Sequence, residues 1–340
     1  MKNIRWAVIG LGRFGKIHAA VIDAATGASL QAICNRNGRK LAEAQQDYPG
    51  AIAVTDYRRL LDSHDIDVVS ITTHWREHFQ IAKQALLAGK HVFVEKPMAA
   101  TGEECRELTK LAEKSQCHLM AGHICRFDPR IAMAQEAIAA GRIGNIVSMH
   151  AKRNLPRAPG NIRLDKISPL MGDGIHDADL MLWFMRELPL RVYARNIRFS
   201  GHEYPDLGWA MLEFGTHAVG VIETIWCLPE TVRTVIDARL DIVGTEGTIT
   251  IDCSETGFEL TDGSGPKMGD TVYWPRIHGH HVGALAHELN YFTDCIRHDR
   301  EPTIITPQEA ANAVLVMECA ERSAAIGEPV VVPKTDSADR

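Results

Sequence analysis

Short apolar runs separated by amphipathic stretches set the rhythm of the first third of the chain. NIRWAVI (3–9) is apolar enough for a buried strand, and Ile17, Ala20, Val21 and Ala24 then recur at helical spacing over 13–25. SLQAIC (29–34) predicts a second strand and 38–47 a polar-faced helix. DVVSIT (67–72) predicts another strand, followed by a helix over 76–88 that Gly89 closes. HVFV (91–94) reads as a strand buried on both faces, 102–115 as a helix and 117–121 as a strand. Strand and helix alternate throughout, the pattern of a parallel, doubly wound sheet.

After about residue 145 the texture changes. Strand-like runs succeed one another at 146–151, 190–199, 208–214, 218–227, 232–243 and 247–252, which predicts a mostly antiparallel sheet. One helix interrupts early (176–186) and two come late (283–298 and 307–325). The expected architecture is an α/β N-terminal Rossmann domain, a doubly wound parallel sheet, over 1–122. An α+β C-terminal domain with an open, mostly antiparallel sheet follows over 123–333, its final helix able to pack back on the first domain. Residues 334–340 read as a polar tail.

Composition narrows the classes. The chain has 340 residues, long enough for two domains, and 45% hydrophobic with 24% charged residues is ordinary for a globular protein. A net charge of −6 gives no global attraction to nucleic acid or anionic lipid. Eight cysteines without a C-x-x-C pair point to reduced thiols and a cytoplasmic setting. The first apolar run, Trp6 to Leu11, is too short for a signal segment, and no other run reaches membrane length.

Candidate chemistry begins at GLGRFG (10–15), placed between a strand and a helix. Gly10, Gly12 and Gly15 suit a tight turn, close approach to a pyrophosphate, and helix–strand packing, while the helix start offers N–H groups to phosphate. Arg13 and Phe14 belong to the same cofactor-binding loop. At the end of the second strand, where an acidic residue often binds the adenosine ribose, stand Asn35 and Arg36. Asn35 does not repel a 2′-phosphate and Arg36 can pair with one, so both NAD and NADP are admissible; Arg36 as a solvated surface charge is the plain alternative. Thr72, Thr73, His74 and Trp75 follow a strand at the same edge, with His78 just beyond. The opening question of mechanism is HVFVEKP (91–97): an apolar strand ends in Glu95 and Lys96, and Pro97 stops the pairing. An ammonium at such a strand end can polarise an oxygen that gains negative charge during hydride transfer. The alternative is a Glu95–Lys96 salt bridge that only caps the strand.

GLGRFG, THWREHFQIAKQALLAGKHVFVEKPMA (73–99), GRIGNI (141–146) and the segment from HELNYF (287–292) to the end of the last helix resemble the Gfo/Idh/MocA family of NAD(P)-dependent sugar and polyol oxidoreductases. The resemblance spans nearly the whole chain. It implies a catalytic role for Lys96, with Glu95 and Pro97 positioning it, and an open second sheet used to form homodimers or homotetramers. GDGIHDADLMLW (172–183) is similar to the family's second catalytic segment, which implies that His176 takes the substrate proton. Many members carry Asp four residues before this histidine; here Gly172 stands there and Asp173 follows. Asp173 is therefore a candidate partner of His176 displaced by one position, and Asp177 a candidate substrate contact or a first-turn charge.

Residues 151–166 hold Lys152, Arg153, Arg157, Arg163 and Lys166 in a stretch that proline and glycine break too often for a helix. Arg153, Arg157 and Arg163 are the substrate candidates there, suited to a phosphorylated or nucleotide-linked sugar. HGHH (278–281) with His287 fits no zinc spacing, so no metal is expected. The HDADL helix start most resembles members oxidising UDP-N-acetylglucosamine at the 3-hydroxyl, with inositol and free pyranoses as close alternatives. A cofactor-binding regulator without chemistry and a glycosidase-type member with retained NAD are the two other classes.

Overall fold

In a computed structural model of the protein, residues 3–334 are described, 216 and 264 excepted. The expected tail therefore lies, from 335 on, outside the described residues. Strands β1 (Ile4–Ile9), β2 (Ala28–Cys34), β3 (Ile52–Val54), β4 (Val68–Ile71), β5 (His91–Glu95) and β6 (Leu119–Gly122) form one sheet in the order β3-β2-β1-β4-β5-β6. Every adjacent pair is parallel. Helices α1 (Arg13–Ala24), α2 (Gly38–Asp47), α3 (Arg58–Leu61), α4 (His78–Leu87) and α5 (Gly102–Ser115) make the connections. Strand order reverses between β1 and β4, and their carboxyl ends mark the crevice where open α/β sheets bind ligands. β4 and β6 are buried along their whole length, and β5 after its first residue, which is why they read as unbroken apolar runs.

The chain divides into two compact units: the part up to Asp128 together with Val272–Ala311, and Pro129–Thr271 with the part from Asn312 onward. The boundary expected near 122 thus falls six residues later, and 272–311 joins the first unit instead of the second. The reason is apolar: helix α9 (Ala284–Arg297) buries Leu285, Leu289 and Phe292, and Phe292 packs on Trp6 and Phe93 with ring centroids 6.1 and 6.0 Å apart. The final helix α10 (Pro307–Ile326) crosses the boundary.

In the second unit, α6 (Pro129–Ala139) precedes β7 (Ile146–Asn154) and α7 (Arg157–Leu164). A π-helical turn, Leu170–Gly174, runs directly into α8 (Ile175–Met185). With β8 (Arg191–Ile197), β9 (Leu207–Phe214), β10 (Ala218–Ile225), β11 (Asp237–Gly244), β12 (Thr248–Asp252) and a short last strand at Val330–Val331, β7 completes a seven-stranded sheet. Only β7 and β10 are parallel; the other neighbours are antiparallel. β9 and β10 alternate buried with more exposed positions, so one face is covered and the other open.

The helix α7 corrects the expectation for 151–166. Residues 151–154 extend β7, and 157–164 are helical despite Pro159 and Gly160. Pro159 sits in the first turn, where a missing N–H leaves no intrahelical bond unmade. Gly160 is needed for contact: a Cβ there would lie 2.2 Å from the Trp226 carbonyl oxygen.

Candidate active site

The first turn of the parallel sheet is built for close backbone approach. Gly10 leaves β1 with φ +103°, and a Cβ on Gly15 would lie 1.8 Å from the Gly10 oxygen. Gly12, the N-cap of α1, has no neighbour within 4 Å of its Cβ position, and no side chain caps the helix. The first-turn N–H groups are therefore left to an anion arriving over Gly12. A cavity of about 620 Å³ opens there, bordered by Gly10, Gly12, Asn35, Arg36, Thr72 and Thr73. Thr73 Oγ1 is buried without a hydrogen-bond partner at this cavity, while Thr72 Oγ1 donates to the Gly10 carbonyl at 2.6 Å. An uncapped helix start, an open glycine and an unsatisfied hydroxyl fit a dinucleotide with its pyrophosphate over α1.

At the other end of the cavity, Asn35 Oδ1 accepts the Asn37 N–H at 3.3 Å, and Asn37 in turn caps α2. Arg36 is largely exposed and pairs with Glu77 at 2.6 Å. Lys40 on α2 and Tyr57 and Arg58 at the start of α3 also border this end; α3 has four residues, too few to show a period in the sequence. His74 lines the cavity; Trp75 instead stacks on His74 at 6.0 Å beneath the Arg76 guanidinium. Arg13 is exposed at the start of α1, and Phe14 packs edge-on against His18 and Trp274. His78 is buried, with Nδ1 2.8 Å from the Pro97 carbonyl oxygen, and burial pushes its pKa down. Glu95 is buried at the end of β5 and Lys96 half-buried just after it.

The second unit holds the other candidates. His176 is the second residue of α8 and is buried, as are Asp173 and Asp177. Asp173 Oδ2 accepts hydrogen bonds from the Trp226 indole at 2.9 Å and from Arg163 at 3.0 Å, and the Arg163 guanidinium lies over the Trp226 ring. Trp226 is fully buried with Leu155 and Leu164, so α7, the π-helical turn and the strand end that carries Trp226 are tied together at one carboxylate. A Cβ on Gly172 would lie 2.6 Å from Trp226 Cη2, so the position four before His176 has no room for a carboxylate beside that ring. Trp226 is a residue that the linear pattern did not flag.

The basic stretch is largely committed within the protein. Arg153 donates to Asp177 at 2.8 Å in a pair whose side chains are 7% and 2% exposed. Lys152 pairs with Asp237 at 2.8 Å and Arg163 with Asp173, whereas Arg157 is exposed. Burial pushes the Asp177 pKa up, and Arg153 opposes it. In the first unit, HGHH forms the hairpin of β15 (Arg276–Ile277) and β16 (His280–His281), numbered after the hairpin of β13 (Glu259–Asp262) and β14 (Gly265–Met268). Among the described residues no group of three or more His, Cys, Asp or Glu is placed to hold a metal ion. Nor is any described helix long and apolar enough to cross a membrane.

Comparison with known proteins identifies the family. Residues 4–123 match the model of an oxidoreductase family with an NAD-binding Rossmann fold, and residues 131–250 match the GFO/IDH/MocA C-terminal domain. The chain is 27% identical to myo-inositol 2-dehydrogenase of Thermotoga maritima, covering 94% of this chain and 96% of that protein. It is 26% identical to the NAD(+)-dependent scyllo-inositol 2-dehydrogenase of Bacillus subtilis, covering 96% of each. Its fold matches scyllo-inositol dehydrogenase from Lactobacillus casei, solved with NAD(H) and scyllo-inositol, at a TM-score of 0.83 and 21% identity over 97% of this chain and 99% of that one. These relatives favour the inositol alternative over the UDP-N-acetylglucosamine reading of the sequence. The chain belongs to the Gfo/Idh/MocA family of NAD(P)-dependent oxidoreductases that act on CH–OH groups.

Proposed function

We propose that the protein is a cyclitol dehydrogenase that oxidises a secondary ring hydroxyl of an inositol. The observation that carries this reading beyond the family is the state of the basic stretch. A diphosphate-bearing substrate needs several uncommitted cations, and of Lys152, Arg153, Arg157 and Arg163 all but the exposed Arg157 already face a carboxylate, those of Asp237, Asp177 and Asp173. A neutral polyol needs hydrogen-bonding groups instead, and near-full-length relatives named as inositol dehydrogenases point the same way.

When bound, the nicotinamide supplies the hydride acceptor. In this proposal the Lys96 ammonium stabilises the negative charge that develops on the substrate oxygen. His176 takes the hydroxyl proton, and Asp173 steadies the turn that carries it through Trp226 and Arg163. Arg153 and Asp177 neutralise each other next to this turn and shape the substrate wall. Homo-oligomerisation, implied by the family resemblance, would cover Trp209 and Met211, exposed on the open face of the sheet.

The test is a panel of inositols, free pyranoses and UDP-N-acetylglucosamine, each with NAD and with NADP. The proposal expects the highest kcat/KM for an inositol. Preferred turnover of the nucleotide sugar would contradict it, and cofactor retained without net reduction by any polyol would favour the glycosidase-type class.

A further inference from the structure

We propose that two buried histidines, His18 and His78, are positioning residues that clamp the Glu95–Lys96–Pro97 tripeptide from its two sides and thereby fix the Lys96 ammonium for catalysis. The inference rests on the reading of Lys96 as a catalytic group and adds the device that holds it.

His18 lies on α1 and is completely buried. Its Nδ1 is 2.9 Å from the Ser70 hydroxyl on β4, and its Nε2 is 3.2 Å from Glu95 Oε1 at the end of β5. The second contact is misaligned for a hydrogen bond and acts as a close charge–dipole or ion-pair contact. Phe14 and Phe93 hold the ring edge-on at 4.8 and 5.6 Å, which fixes its plane. A buried carboxylate is costly without a partner, so Glu95 stays where His18 is.

His78 begins α4 and is 1% exposed. Its Nδ1 lies 2.8 Å from the Pro97 carbonyl oxygen and its Nε2 3.2 Å from the Thr73 carbonyl oxygen. A neutral ring has one N–H to donate, and the shorter distance places it on Nδ1, donating to Pro97. The ring thus spans from the residue after Lys96 to a residue that borders the cofactor cavity. Lys96 sits between two neighbours that are each held by an imidazole, one from α1 and one from α4. Neither histidine needs to touch substrate or cofactor for this. A displacement of about 1 Å in a reacting group costs on the order of 100-fold in rate, so loosening either anchor acts on turnover more than on binding.

The experiment is a double-mutant cycle with myo-inositol and NAD as probes, recording kcat, KM and NAD affinity by fluorescence titration. His78→Leu is expected to lower kcat by roughly 10- to 100-fold with NAD affinity within about 3-fold of wild type. His78→Asn, whose side-chain amide nitrogen takes the place of Nδ1 and can donate to Pro97, should recover most of that loss. In a Lys96→Met background, His78→Leu should cost nothing further, because the group it positions is gone. Ser70→Ala, a small change that frees His18 Nδ1, should lower kcat by roughly 3- to 10-fold and be equally silent beside Lys96→Met. Unchanged kcat in His78→Leu or Ser70→Ala overturns the clamp, as does the same loss with and without Lys96. Should His78→Leu fail to fold, His78→Met, unbranched and with no group to donate to Pro97, decides in its place, and wild-type kcat there overturns the proposal. If Lys96→Met itself keeps full turnover, the catalytic assignment falls and takes the clamp with it. If Lys96→Met is slow and the histidine variants are fast, the clamp alone falls.

Discussion

Removing the Arg153 guanidinium separates a structural role from the substrate-binding role that the sequence suggested. Arg153 and Asp177 are 2.8 Å apart with side chains only 7% and 2% exposed, so water cannot replace a lost partner. Breaking such a pair by deleting one side costs about 3–5 kcal/mol, because the other charge stays buried and uncompensated. Arg153→Met should therefore lower the melting temperature by roughly 6–20 °C near neutral pH, at about 2–4 °C per kcal/mol for a unit of this size. The pH dependence has a definite sign. Burial already raises the Asp177 pKa in the folded state, and Arg153 is the main influence lowering it. Without Arg153 the folded-state value rises further above the unfolded one. The folded variant then binds more protons than its unfolded chain, so its stability falls as pH rises from about 4 through the folded-state pKa. The gap between wild type and variant should be small near about pH 4, where the carboxyl is protonated, and largest near about pH 8. Thermal unfolding followed by circular dichroism at both pH values measures it. Arg153→Met/Asp177→Leu, which leaves no buried charge, should regain most of the lost stability. A variant that melts with wild type at the higher pH, or a gap that widens towards acid, would refute the reasoning.

Two further predictions concern the cofactor. Gly12→Ala meets no protein atom and should fold normally while weakening NAD affinity by roughly 10-fold or more, whereas Gly15→Ala, 1.8 Å from the Gly10 oxygen, should lower the melting temperature as well. Equal melting temperatures for the two variants would contradict the roles given to these glycines. Asn35→Asp should shift the kcat/KM ratio towards NAD, because a carboxylate repels the 2′-phosphate; an unmoved ratio would mean that position 35 does not face the adenosine ribose.

The alternation of strand and helix was legible because β4, β5 and β6 are buried almost throughout and so read as apolar runs. The run at 91–94 and the glycines at 10–15 could be placed from that alternation alone. Other elements left no such trace. β3 has three residues and α3 four, too few to show a period, and the cavity-lining residues Thr55 to Arg58 between and at the start of them carry no pattern of their own. Helix α6 does carry boundary signals, Pro129 at its first position and Gly141 just past its end, but it buries only Ile131 and Ala134, too few to mark an apolar face. In α7 the sequence misled: Pro159 and Gly160 looked like breakers, yet one is harmless in a first turn and the other is demanded by Trp226.

The candidate site shows the same division. Residue types near a strand end or a helix start point to chemistry, but which charge faces which is decided by tertiary packing. Arg153 reads as an exposed cation on the chain and is a buried partner of Asp177 in the fold. His18 and His78 sit at helical positions where an apolar residue would also fit, so nothing linear marked His18, and His78 was placed only at the cofactor edge. Trp226 explains the glycine at 172 across more than fifty residues of sequence, a distance no local pattern spans.

The central claim is that Lys96, at the end of β5, carries the oxidation of an inositol hydroxyl. The measurement that tests it most directly is reduction of NAD and NADP by a panel of inositols, followed by the absorbance of the reduced nicotinamide, for the wild-type protein and Lys96→Met side by side. The account predicts turnover by the wild-type protein, a fall of roughly 100-fold or more in kcat for the variant, and cofactor affinity that stays near the wild-type value. Undiminished turnover in Lys96→Met, or no oxidation of any inositol by the wild-type protein, would contradict it.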